Sequence, residues 1–119
     1  MNQTQNTKQY DLGQRTLTFA RDVRGYVKEL PNNLANVEYS QQLIRASGSV
    51  GANYIEAEEA LSKKDFLFRI KISRKEAKES RFWLELTESS DHHDDDRMRL
   101  IQEATELMKI FGSIVEKST

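Results

Sequence analysis

The sequence predicts an all-α fold, four amphipathic helices packed up-down-up-down in one bundle, and three observations point to it. Residues that interrupt helices are scarce, with one proline and five glycines in 119 residues, while Glu, Lys, Arg, Ala and Leu are abundant. Apolar residues recur at three- and four-residue intervals from about Asp11 to near the C-terminus. The breaks in that pattern are short, which makes successive helices antiparallel neighbours. The chain is long enough for one domain with a true core, residues 11–119. Residues 1–10 are rich in Gln, Asn and Thr without periodicity, and read as a disordered or weakly ordered lead-in.

In the first helix Leu12, Thr16, Phe19/Ala20, Val23, Tyr26/Val27 and Leu30 form one face. Asp11 is its N-cap, and Pro31 with Asn32 and Asn33 stops it. Gly25 in its interior implies a close helix contact, since glycine there costs about 1 kcal/mol against alanine.

The second helix runs from about Val37 to Ala60 or Leu61, with Tyr39, Leu43, Ala46, Ser47, Val50, Tyr54, Ala57 and Leu61 on its bundle face. Ile44, Gly48, Gly51, Ala52 and Ile55 form a second face, which suits either another helix of the bundle or a contact between subunits. Arg45, Ser49, Asn53 and Glu56 form a third, polar stripe, spaced for side-chain pairing or for binding a partner's backbone.

Ser62 to Lys64 makes a turn, with Ser62 and Asp65 spaced as a capping box. The third helix continues to Leu86 or Ser89 and puts Phe66, Ile70, Ser73, Ala77, Ser80 and Leu84 inward. Phe68, Ile72, Trp83 and Leu86 make a displaced apolar row. A helix in a small bundle has one inner face, so a second apolar row predicts a homo-oligomer. Between the rows, Lys64, Lys71, Arg74, Lys75 and Lys78 form the concentrated basic surface of the chain, a candidate for nucleic acid.

Ser89 to Asp96 is a loop whose acids suit the N-terminus of the last helix, about Asp95 to Glu116. That helix is expected to bury Met98, Ile101, Ala104/Thr105, Met108, Phe111 and Val115.

Chemistry is not indicated. The net charge of −1 shows no global basic excess, and the absence of cysteine removes disulfides, thiol chemistry and cysteine-bound zinc, as suits a reducing cytosol. His92 and His93 are adjacent on a loop, a spacing that imposes no coordination geometry, and neither follows a glutamate by three residues as a di-iron bundle requires. Phosphate-cradling and serine-elbow motifs are missing. The expectation is no catalytic residue, no metal and no cofactor. The start of the chain lacks the basic and apolar run of a secretion signal, and no apolar segment reaches the ~18 residues of a membrane span. A cytoplasmic protein without membrane contact follows.

Three runs carry a resemblance to a known family: Ser49-Val50-x-x-Asn53-x-x-Glu56-Ala57, Ser62-Lys63-x-Asp65-Phe66, and Lys75-Glu76-Ala77-x-Glu79-Ser80-Arg81-Phe82-Trp83-Leu84. Over about residues 10–116 the chain resembles the four-helix-bundle proteins encoded in intervening sequences of bacterial 23S ribosomal RNA. Many relatives have Gly at the position of Ala57 and an aliphatic residue at that of Tyr54. The resemblance implies a left-handed up-down-up-down bundle that assembles as a homopentamer. Characterised relatives, accessory proteins of diversity-generating retroelements, are basic pentameric barrels that bind nucleic acid and a reverse transcriptase. The function expected is a non-enzymatic oligomeric scaffold that binds structured RNA through the basic stripe of the third helix. The alternative is a protein-interaction module that presents the Arg45, Ser49, Asn53 and Glu56 stripe to a partner protein.

Overall fold

Side-chain caps decide where the helices of this computed structural model, which describes residues 11–119, begin. The Asp11 carboxylate accepts the Gln14 N–H at 2.9 Å and opens α1, Leu12–Lys28. The Asn33 side chain accepts the Asn36 N–H at 2.8 Å and opens α2, Leu34–Glu58. Ser62 Oγ accepts the Asp65 N–H at 3.0 Å and opens α3, Lys63–Leu86. Each bond satisfies a first-turn N–H that has no carbonyl partner within its helix. After a 3-10 turn at Asp91–His93 comes α4, Asp94–Ser118, whose first turn carries Asp94, Asp95 and Asp96 against the positive end of the helix dipole. The described residues contain no strand. The expected lead-in, residues 1–10, lies outside them.

The four apolar rows meet in one core. It is built from Leu12, Phe19, Val23 and Tyr26 of α1, Leu43, Val50 and Ala57 of α2, Ile70, Ala77 and Leu84 of α3, and Leu100, Ala104, Leu107 and Phe111 of α4. Fully burying each large side chain contributes about 1.5–3 kcal/mol before entropy is counted. Helix α2 packs most broadly on α3, α3 on α4, and α1 on α2, while α1 touches α4 only lightly. The outcome is a slab, 44 × 35 × 19 Å.

Polar groups inside are paired throughout the described residues. Ser73 Oγ donates to the Val50 carbonyl at 2.9 Å, tying α3 to α2. At one end of the slab the Asn36 carboxamide donates to the Pro31 and Glu88 carbonyls and accepts the Glu88 N–H, all within 3.0 Å. Nearby, the Thr87 hydroxyl donates to the Leu84 carbonyl, which leaves its oxygen to accept the Tyr26 hydroxyl at 2.7 Å. Burial raises the Tyr26 pKa, so this hydroxyl stays a donor.

The inward rows of α1, α2 and α3 follow the sequence periodicity, and four expectations need correction. Helix α2 starts at Leu34, because Asn33 caps it, and ends at Glu58, so Leu61 leaves the buried stripe and is 99% exposed. On α4 the buried row is Leu100, Ala104, Leu107 and Phe111, a small rotation from the row expected, and Met98 is exposed. In the first turn the Arg97 guanidinium reaches the Leu84 and Glu85 carbonyls at 3.4 Å, on the side of α4 that faces α3. Gly25 marks no close approach, since a Cβ there meets nothing within 4 Å. Gly51 does: its Cβ would lie 2.9 Å from Thr16 Oγ1, so glycine there lets α1 and α2 touch.

Candidate interaction faces

The residues expected at an oligomer interface fall into two groups. Ile44, Gly48 and Ile55 on α2, and Phe68 and Leu86 on α3, are exposed, as large apolar groups rarely are in such numbers on one small chain. Gly51, Ile72 and Trp83 are not free. Gly51 is occupied by Thr16, and Ile72 is half-buried. Trp83 packs against the core, with its ring 6.2 Å from that of Tyr39 and 5.0 Å edge-on from that of Phe82. The sequence reading missed Phe82, which is 53% exposed. The signal was present, because Phe68 and Phe82 stand about four helical turns apart and so share a face.

Of the basic row, Lys64, Lys71, Lys75 and Lys78 are exposed and form no ion pair among the described residues. Arg74 departs from the row. It is half-buried, and its Cδ lies 3.8 Å from where a Cβ on Gly112 would sit, against α4.

The polar stripe of α2 is largely spent on α3. Arg45 pairs with Glu79 at 3.1 Å and with buried Glu76 at 3.5 Å. Asn53 donates to the carbonyl and hydroxyl of Ser49 at 2.9 Å, and its carbonyl oxygen accepts from Arg69 at 3.1 Å. Glu56 alone of the four is exposed and outside any ion pair among the described residues.

A second charged region, invisible in the sequence, joins α1 to α4. Arg15 forms a fork to Glu103, at 2.7 and 2.9 Å, and reaches Glu106 at 2.8 Å. These carboxylates raise the Arg15 pKa further, so it is permanently charged. Bonds from Gln102 and Arg15 lower the Glu106 pKa. Arg99 meets Asp22 at 3.3 Å, and His93 lies 3.5 Å from Asp96 and 3.8 Å from Glu29. An open cleft of about 370 Å³ lies here, lined by Asp22, Arg99, Gln102, Glu103 and Glu106 among others. It contains cations and carboxylates already paired with one another. No local motif marks these partners, which are 88 residues apart for Arg15 and Glu103.

The model of the 23S rRNA-intervening sequence protein family matches residues 8–113. The chain belongs to that family. It is similar to a protein of unknown function from the S23 ribosomal protein family of Bacteroides thetaiotaomicron, known from a crystal structure, with 33% identity and a TM-score of 0.76. The alignment covers 87% of this chain and 96% of that one. No curated protein matches. Among the described residues no helix is long and apolar enough to cross a membrane.

Proposed function

We propose that the protein is a non-enzymatic cytoplasmic scaffold, a left-handed up-down-up-down bundle that joins copies of itself, five by the family resemblance, and holds structured RNA against α3. The observation that carries the RNA reading is the exposed row Lys64, Lys71, Lys75 and Lys78, without carboxylate partners among the described residues and interleaved with exposed Phe68 and Phe82. Unpaired ammonium groups are free for phosphate, and copies in an assembly add their contacts.

The topology is supported by residue register. Asn53 meets Arg69 and Arg45 meets Glu76 and Glu79, so numbers rise along α2 as they fall along α3. Arg81 with Thr105 and Arg97 with the Leu84 carbonyl give the same sense for α3 and α4. Assembly is supported by the exposed Ile44, Ile55, Phe68 and Leu86. The alternative, a partner protein bound by the polar stripe of α2, is weakened because Arg45, Ser49 and Asn53 already bond within the chain.

Native mass spectrometry without nuclease treatment, followed by titration with a folded RNA stem-loop, tests this reading. The wild type should appear as a multiple of the chain mass and bind the stem-loop less tightly as salt rises. Lys71→Glu with Lys78→Glu should weaken binding at least about tenfold and leave the assembly mass unchanged. Equal affinity in variant and wild type would remove the RNA role from the stripe.

A further inference from the structure

Helix α3 sorts its charges between its two flanks. On the flank toward α2, Glu76 and Glu79 are taken up by Arg45, at 3.5 and 3.1 Å. On the flank toward α4 stand Arg74 and Arg81, with exposed Lys71 and Lys78 beside them. None of these four cations forms an ion pair among the described residues. The opposing stretch of α4, Thr105 to Gly112, contains a single acid, Glu106, whose carboxylate turns to Arg15 on α1 at 2.8 Å. Lys109 is exposed on the same stretch. The α3–α4 seam is therefore basic along its middle, and the acids that could neutralise it are engaged elsewhere.

The two arginines are built into that seam. Arg81 Nη1 donates to Thr105 Oγ1 at 3.3 Å, while the Thr105 hydroxyl donates its own proton to the Ile101 carbonyl at 2.9 Å, so one edge of the guanidinium is fixed and the rest is free. Arg74 lies over Gly112, its Cδ and Nη1 3.8 and 4.0 Å from where a Cβ there would sit. Both arginines are half-buried, and neither meets a carboxylate among the described residues. A cation that gives up water without gaining a counter-charge is costly, which points to an anion from outside the chain. Seven residues separate Arg74 from Arg81, so they stand about 10 Å apart along α3, and Lys71 extends the strip to about 15 Å.

We propose that the α3–α4 seam is a binding site for linked phosphate groups, the chain of a polyphosphate or of a nucleic-acid strand, held by Arg74 and Arg81 with Lys71, Lys78 and Lys109 adding charge around them. A guanidinium presents a planar fork of donors that matches a pair of phosphate oxygens, and an ammonium acts as a point charge. A lone anion satisfies one cation, whereas phosphates joined in a chain engage several at once and gain from each. The site shares Lys71 and Lys78 with the proposed RNA surface, adds Arg81 and Lys109 to it, and does not require RNA to be the ligand.

Calorimetric titration with inorganic tripolyphosphate, and separately with the folded RNA stem-loop, tests the assignment. Arg74→Gln with Arg81→Gln keeps most of each packed stem and breaks no ion pair, so the melting temperature should hold while binding weakens at least about tenfold. Arg21→Gln with Arg24→Gln removes the same charge from exposed positions on α1 and should change binding less than about twofold. If the Arg74 and Arg81 variant binds both probes like the wild type, or the α1 variant loses as much, the site is overturned. Competition identifies the source of the phosphates. A stem-loop that displaces tripolyphosphate, or that alone binds through Arg74 and Arg81, makes a nucleic-acid strand the ligand. Tripolyphosphate held through these arginines with no stem-loop binding keeps the site and removes the RNA reading. Stem-loop binding that needs Lys71 and Lys78 but not Arg74 and Arg81 keeps the RNA reading and overturns the site, and a wild type that binds neither probe overturns both.

Discussion

Where α2 meets α3, Ala46, Ser47, Val50, Ser73 and Ala77 are all buried, and the Ser73 hydroxyl bonds across to the Val50 carbonyl. Where α1 meets α4, the contact is carried by Arg15 with Glu103 and Glu106 and by Asp22 with Arg99, beside clefts of about 370 and 240 Å³. Small buried side chains bring the α2 and α3 backbones close, and the pairs of Arg45 with Glu76 and Glu79 across this seam add to that packing without carrying it. Partly exposed ion pairs are screened and titrate. The α2–α3 seam is therefore the part whose loss unfolds everything, and the edge of α1 along α4 is the part that loosens first.

The largest effect should follow from Leu43→Ala, which empties a fully buried position of α2. A loss of about 2–5 kcal/mol is expected in urea unfolding, with all helices melting in one transition. Selective melting of α1 in that variant would contradict the contrast between the seams.

Arg15→Gln should cost about 1 kcal/mol, the modest value of partly exposed pairs, and hydrogen exchange should rise along α1 and little in α2 or α3. Acid should act in the same direction. The Glu106 pKa is lowered from the ordinary value of 4.5, so its stabilising effect is complete above that value and is lost as pH falls through the lower folded one. Exchange along α1 should accordingly increase on acidification below about 4.5, less so in Arg15→Gln, while Arg15 itself does not titrate. Uniform acceleration over all helices would show that the α1–α4 seam is not the weaker one.

The smallest effects concern two glycines and differ in sign. Gly25→Ala should stabilise the chain by about 0.5–1 kcal/mol, because the added methyl meets nothing and the helix gains propensity. Gly51→Ala should destabilise it, since the new Cβ would crowd Thr16 Oγ1 and push α1 away. Thermal melts of the two variants read the difference directly, and equal shifts would refute it.

The glycines also show what was legible in the sequence. Helical periodicity identifies buried rows because burial repeats with the helix, and it located the cores of α1, α2 and α3 from Leu12 to Leu84. On α4, where apolar residues occupy two adjacent rows, period alone did not select Leu100, which is buried, over Met98, which is exposed. Gly25 and Gly51 look alike in a sequence, and only the position of Thr16 distinguishes them. Among the candidate site residues, the exposed Ile44, Ile55 and Phe68 were legible as a second apolar pattern. Arg45 and Asn53 were read as a surface stripe because their partners Glu76, Glu79 and Arg69 lie on another helix. Pairing across helices leaves no periodic trace.

The Asn36 carboxamide bonds the Pro31 carbonyl and both backbone groups of Glu88, and so stitches the α1–α2 connector to the α3–α4 connector. At the other end, Leu61 in the α2–α3 turn projects almost wholly into solvent. The two ends thus have different freedom to diverge. At the stitched end the two connectors can change only as a pair, whereas the Leu61 tip can be lengthened or carry a grafted peptide without disturbing the helices behind it.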